Sequence, residues 1–264
     1  MDFEQLITEL HHVLVALMCA TVRIQVALAI IPLFSRQNVP GLVRAAIGVG
    51  LSLVLVPPVL GSIGQQMPQA LELGAIVLKE AFIGLLIGYS VAALFWAIEA
   101  VGFFIDNQRG ASIASTLDPL TGNDSSPLGI LFNQAFLVYF LVAGGFGVFM
   151  TMMYSTYGLW PVMHYFPTVN VDSFPVFAGM FERVIRLALL LSAPVIVAML
   201  LAELGLALVS RFAPQLQVFF LAMPIKCGMA FFVLVVYLPT LFDYIREEML
   251  QLAGLPGLLS EAFQ

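Results

Sequence analysis

Six ionisable side chains stand inside stretches that are otherwise apolar: Arg23, Lys79, Glu80, Glu99, Glu203 and Lys226. Charges so placed can pair with one another, dock onto neighbouring subunits, or line an aqueous path and couple to an ion or solute. Facing lipid at a helix centre, each costs on the order of 2.5–3.5 kcal/mol, against about 0.5 gained per leucine. Six in lipid would cancel much of the insertion energy, so they must face protein, water or each other. Pairing within the chain is the simplest reading, for instance Glu203 with Lys226 across the last helical hairpin. Pairing with other subunits and exposure to a conducting path are the alternatives. Little else is chemically suggestive. Cys19 and Cys227 lie in apolar stretches and read as small buried side chains, neither a disulfide framework nor a metal motif. His11, His12 and His164 read as interfacial residues, not ligands. There is no HExxH, GxSxG, P-loop or CxxC, so no catalytic residue, metal or cofactor is expected.

The elements that must carry these charges are membrane helices. Of 264 residues, 61% are apolar and 10% charged, with a mean hydropathy of +1.02. Soluble domains carry about 45–50% apolar and about 25% charged residues, so a water-soluble globule is excluded, as is disorder. Ten basic against 16 acidic residues, with no basic run, exclude nucleic-acid binding. The opening Met-Asp-Phe-Glu-Gln has no basic residue, so the first apolar segment is expected to be retained and not cleaved as a signal peptide. Crossing about 30 Å of hydrocarbon takes about 20 helical residues. Six stretches approach that length: 13–34, 45–60, 74–105, 128–153, 184–209 and 216–241. The second ends in Pro57-Pro58 and reads as a half-span or hairpin arm. The third is too long for one perpendicular crossing. Residues 243–264 read as a tail with an exposed helix at 244–250, stopped by Gly254 and Pro256. Arg36, Arg44, Arg109 and Arg211 fall in alternate loops, which predicts six spans with both termini outside, although Arg183, Arg186 and Arg246 oppose it. The expected fold class is all-α and polytopic, with no internal repeat and no soluble domain.

Small residues mark close packing. Gly84 and Gly88 have GxxxG spacing, and Gly144, Gly145 and Gly147 read as a packing or docking face. Met150, Met152 and Met153 suit adaptable packing or a soft seal. Trp96 and Trp160 suit interfacial anchoring or helix packing, while Asp172 and Glu182 are placed in a solvated loop. The connection 106–127 is 22 residues long, far more than a plain turn needs. Its first half is rich in Ala, Ser and Gly, and its second contains the turn pairs Asp118-Pro119 and Gly122-Asn123. Asp106 and Arg109 can pair if the helix extends that far. A polar segment at membrane depth is tolerated where it lines a water-filled cavity or is buried in protein. It reads as a surface loop or as a movable closure hinged at Gly110 and Gly122.

The wording of this segment, Gly102-Phe-Phe-Ile-Asp-Asn-Gln-Arg-Gly-Ala-Ser112, with Leu117-Asp-Pro-Leu-Thr-Gly122 and Ser126-Pro-Leu-Gly129, resembles the export-apparatus subunit of bacterial type III secretion systems. That group comprises SctT (YscT, SpaR) and the flagellar FliR. The resemblance extends along nearly the whole chain, including Pro32-Leu-Phe-Ser35, Val39-Pro-Gly-Leu-Val-Arg44 and Lys79-Glu-Ala-Phe-Ile-Gly84. The Asp and Arg of the first motif look like the injectisome branch. Leu191-Ser-Ala-Pro-Val-Ile196, Pro214-Gln-Leu-Gln-Val218 and Met223-Pro-Ile-Lys226 are similar to the two-helix subunit of the same apparatus.

The resemblance implies a fusion, with residues 1–175 like the P-type subunit (SctR, FliP) and 176–264 like the Q-type hairpin (SctS, FliQ). It implies assembly with those subunits, and with the export switch (SctU, FlhB-like), into a helical cone in the bacterial inner membrane that admits unfolded secreted proteins. Helices in that cone are bent and do not all span the bilayer. The pore plug then corresponds to Asp106, Asn107, Gln108, Arg109, Gly110, Ala111, Ser112, Ser115, Asp118, Pro119 and Gly122, near a methionine ring of the P-type partners. The six apolar-stretch charges become subunit-interface or lumen charges. The competing reading is a secondary transporter that uses Arg23, Glu99 or Lys226 as coupling charges, for which inverted repeats are expected and none is evident. A membrane enzyme lacks an acid–base or nucleophile constellation.

Overall fold

The computed structural model describes residues 3–63, 68–110, 126–163, 174–213, 218–254 and 257. The described residues form eight α-helices and no strand: α1 Phe3–Ile30, α2 Gly41–Ser52, α3 Val56–Ser62, α4 Ala70–Arg109, α5 Pro127–Val142, α6 Gly145–Leu159, α7 Phe174–Phe212 and α8 Val218–Gln251. The protein is an all-α, multi-pass membrane protein. Five elements are long and apolar enough to cross a bilayer: Phe3–Ile30, Gly41–Ser62, Ala70–Arg109, Phe181–Phe212 and Leu221–Gln251. The pair α5 and α6 is a sixth if it counts as one broken span.

Helix boundaries follow local chemistry. α1 contains neither Gly nor Pro and gives way to a 3₁₀ turn at Pro32–Phe34. With 40 residues, α4 is about 60 Å long, twice the hydrocarbon thickness. It stops at Gly110, whose φ of +84° is the left-handed conformation that ends helices cheaply at glycine. α5 begins with Ser126 as N-cap, its hydroxyl accepting from the Gly129 N–H at 2.9 Å, and with Pro127 in the first turn.

The chain divides into two compact units. The first comprises Met1–Ala93, Gly144–Ala178 and Leu250–Gln264. In it, Ala16, Cys19, Ala20, Ile24 and Ala27 form a fully buried face of α1. Small residues there meet glycines of α4. A Cβ at Gly84 would collide with the Arg23 carbonyl, and one at Gly88 would sit 2.8 Å from the Ala27 Cα. The GxxxG spacing therefore serves close helix packing. Phe149, Met152 and Met153 of α6 are also buried.

The second unit comprises Leu94–Ala143 and Gly179–Met249. Its core is a four-residue periodic stripe on α5, Leu128, Phe132, Phe136 and Phe140, packed on Phe95 of α4. The Phe95 ring lies 4.6 Å from Phe136, edge-on, and 5.3 Å from Phe140. Gly102 and Gly129 let α4 and α5 approach backbone to backbone. α7 and α8 form an antiparallel hairpin fastened at one end by the Arg183–Glu248 ion pair.

Several sequence expectations change. The stretch 128–153 is not one helix: α5 ends at Val142 and α6 begins at Gly145, because Gly144 between them adopts φ +82°. Nothing lies within 4 Å of a Cβ at Gly144 or Gly147, so these two glycines do not pack helices within the chain, whereas Gly145 is buried. Pro57 and Pro58 open α3 and do not terminate the second stretch, since prolines in a first turn sacrifice no helical hydrogen bond. α8 runs on through Asp243 to Gln251, with Ile245 and Met249 buried, so residues 243–251 are not a detached tail. Glu182 lies in α7 and not in a loop, although it is exposed.

Candidate functional site

The three buried charges of the first unit form one cluster. Gly84 admits the α1 backbone at Arg23, and Glu80 stands one turn earlier on the same face of α4, within reach of the guanidinium. Arg23 grips Glu80 with two parallel bonds, Nε to Oε2 at 2.7 Å and Nη2 to Oε1 at 2.9 Å. It also donates from Nη1 to the Thr156 hydroxyl at 3.0 Å and from Nη2 to the Trp160 carbonyl at 2.9 Å. The Tyr157 ring covers the guanidinium at 3.9 Å, and its hydroxyl donates to the Ala20 carbonyl at 2.7 Å. Lys79 pairs with Glu80 at 2.9 Å and donates to the Pro161 and Val162 carbonyls at 3.0 and 2.8 Å.

Two cations thus share one carboxylate, and both partners of the central pair are fully buried. The surplus positive charge is met by carbonyls just beyond the α6 C-terminus. A helix end there carries about half a negative charge. The cluster is electrostatically closed and ties α1, α4 and the end of α6 together.

The second group, in the other unit, surrounds the end of α4. Asp106 is buried, and its Oδ2 accepts from the Ser126 hydroxyl at 2.7 Å and from the Leu128 N–H at 3.0 Å. Its Oδ1 pairs with Arg109 at 2.6 Å. A carboxylate at the first turn of α5 is favoured by that helix's dipole. Asp106 therefore joins the last turn of α4 to the first turn of α5, the two points where the polar segment leaves and returns. Arg109 lies over the Phe231 ring at 5.4 Å. Glu99 accepts from the Asn133 amide at 2.8 Å. Lys226 pairs with Glu203 across the α7–α8 hairpin at 2.6 Å and lies 3.5 Å from the Gln108 carbonyl.

Of the sequence-predicted plug residues, Asp106, Asn107, Gln108, Arg109 and Gly110 end α4; Asn107 is exposed and Gln108 half-buried. Ala111, Ser112, Ser115, Asp118, Pro119 and Gly122 lie outside the described residues, as do His164 and Asp172. Sequence reasoning missed Thr156, Tyr157, the Trp160 carbonyl, Ser126 and Asn133. Ser126 alone carried a local signal, since Ser-Pro before an apolar run marks a helix start. Among the described residues, no group of three or more His, Cys, Asp or Glu side chains can hold a metal ion.

A family model described as bacterial export proteins, family 1, matches residues 14–252. That span contains both groups of charges. The chain belongs to this family. Within family 1 it is 38% identical over 229 residues to the Yop proteins translocation protein T of Yersinia pestis, covering 86% of this chain and 87% of the relative. It is 30% identical over 256 residues to the surface presentation of antigens protein SpaR of Salmonella typhimurium, covering 96% and 94%. It is 29% identical over 237 residues to the flagellar biosynthetic protein FliR of Bacillus subtilis, covering 88% and 89%. Family 1 is thus the SctT/FliR family of the type III export apparatus, and a role in secretion export follows for this member.

Proposed function

We propose that the protein is a core subunit of a type III secretion export gate in the bacterial inner membrane, where it forms and closes the channel that admits unfolded secreted proteins. Its partners in this reading are P-type and Q-type export subunits and the export-switch subunit. Residues 1–175 take the P-type place and 176–264 the Q-type place. The higher identity to the Yersinia protein, 38% against 29% for the flagellar relative, supports the injectisome branch.

The observation that carries the closing role is the Asp106 junction. One buried carboxylate joins Arg109, where the chain leaves α4, to Ser126 and Leu128, where α5 begins, so the two described ends of the connection are held at one place. Two anchors held together favour return of a polar segment to one position after displacement. The hairpin supports the assembly role. Only 6% of the most apolar window of α8 is buried within the chain, against 67% for α4, which leaves α8 to be covered by lipid or neighbouring subunits. A solute carrier with Arg23, Glu99 or Lys226 as coupling charge fits poorly, since Arg23 and Lys226 are engaged in ion pairs and Glu99 accepts from Asn133.

Two measurements test the reading. Co-expression with P-type and Q-type subunits should yield one hetero-oligomer by native mass measurement; recovery of only a single-copy, fully competent chain would refute it. Deleting residues 110–122 should raise the dye and ion permeability of cells carrying the assembled complex. Unchanged permeability would remove the closing role while leaving the assembly role standing.

A further inference from the structure

One face of α1 is open beside α2. Leu14, Leu17, Met18, Val22 and Val26 line a groove of about 440 Å³, with Val49 of α2 on its other side. Over these residues α1 rises about 18 Å, close to one leaflet of the roughly 30 Å hydrocarbon layer. Polar groups along the groove are satisfied inside the protein. The Thr21 hydroxyl bonds the Leu17 carbonyl at 2.6 Å and the Ser52 hydroxyl at 2.7 Å, and the Gln25 amide donates to the Ala45 carbonyl at 2.7 Å. The groove therefore offers hydrocarbon contact.

Its Gln25 end leads to Arg44, which reaches back to Phe34 in the turn that carries Arg36. Gly48 lies against the Gln25 amide, and Arg44 stands one turn earlier on the same face of α2. Arg44 is half-buried and directs one donor at the Phe34 carbonyl, 3.3 Å away; Arg36 is exposed. Between Glu9 and Glu72 the chain has no acidic residue, and neither arginine forms an ion pair with a described residue. Shape and charge select one ligand, an anion carried on a hydrocarbon chain. We propose that the groove and the two arginines are a binding site for an anionic phospholipid, with an acyl chain along Leu14–Val26 and the phosphate at Arg36 and Arg44. Basic pockets between membrane helices bind such headgroups at the cytoplasmic side, where positive-inside reasoning places this turn. A partner helix would use the apolar wall but gives no reason for two arginines without acidic neighbours at one end.

The test uses the full-length chain, delipidated in detergent and titrated with phosphatidylglycerol or phosphatidylcholine of identical acyl chains, with bound lipid read by native mass spectrometry. Phosphatidylglycerol should be retained at a concentration about tenfold lower. Arg36→Gln and Arg44→Gln should each reduce that preference about fivefold, the effect of one basic residue near an anionic surface. Val49→Trp, which fills the groove, should lower occupancy by both lipids. Arg36 is exposed, so its substitution reports binding and not folding. Equal retention of the two lipids by the wild type, or an undiminished preference in the double arginine variant, overturns the proposal. So does a photo-crosslinker at Met18 that captures a protein helix and no lipid in the assembled complex.

Discussion

Replacing Glu80 by glutamine leaves Arg23 and Lys79, which are 0% and 4% exposed, as two neighbouring buried cations without an anion. Removing one partner from a buried ion pair costs about 3–5 kcal/mol, most of it the desolvation of the charge left behind. Lys79→Met is different. It leaves the bidentate Arg23–Glu80 pair whole and orphans the Pro161 and Val162 carbonyls, each worth about 1 kcal/mol. The two variants should therefore differ by about 2 kcal/mol, roughly thirtyfold in the unfolding equilibrium. A triple variant with methionine at Arg23, Lys79 and Glu80 should be more stable than Glu80→Gln alone, because it removes every charge that would be stranded. The assay is denaturing-detergent titration of the purified chain, followed by tryptophan fluorescence, with Trp160 in the cluster as reporter. A Glu80→Gln variant no less stable than Lys79→Met would refute the argument that this carboxylate neutralises both cations.

The packing glycines should behave asymmetrically in the same assay. Gly88→Val drives a side chain into the α1 backbone and should lose at least about 1–3 kcal/mol, whereas Gly147→Ala meets open space and should be neutral or slightly stabilising. Asp106→Ala removes a charged acceptor from both Ser126 and Leu128 and should cost about 1.5–3 kcal/mol; Ser126→Ala, which loses one cap, should cost about 1. Phe136→Ala should cost about 3–5 kcal/mol, read as a lowered unfolding midpoint, because its fully buried ring is central to the Phe95–Phe136–Phe140 cluster.

Composition and periodicity determined the class of protein. A chain 61% apolar that breaks into long stretches near 20 residues must be a bundle of membrane helices. The cost of charge in hydrocarbon required Arg23, Lys79, Glu80, Glu99, Glu203 and Lys226 to face protein, water or one another. Adjacency in a hairpin made the Glu203–Lys226 pair legible, and GxxxG spacing made the close packing at Gly84 and Gly88 legible. Motifs along nearly the whole chain carried the family.

Partner choice was decided only in three dimensions. Arg23 meets Glu80 across 57 residues and Thr156 across 133. No local pattern specifies such contacts, because a backbone carbonyl such as that of Trp160 has no sequence identity at all. The Gly144 break was equally hidden. Hydropathy averages over direction, so two successive apolar helices read as one, and only a φ that glycine alone adopts without strain separates them. Asp106 read as the start of the connection, able to pair with Arg109 if the helix extended that far, and folding made it the shared end of two helices. The sequence states which groups cannot face lipid, but each needs a partner within about 3 Å, and only tertiary packing brings groups that far apart in sequence so close.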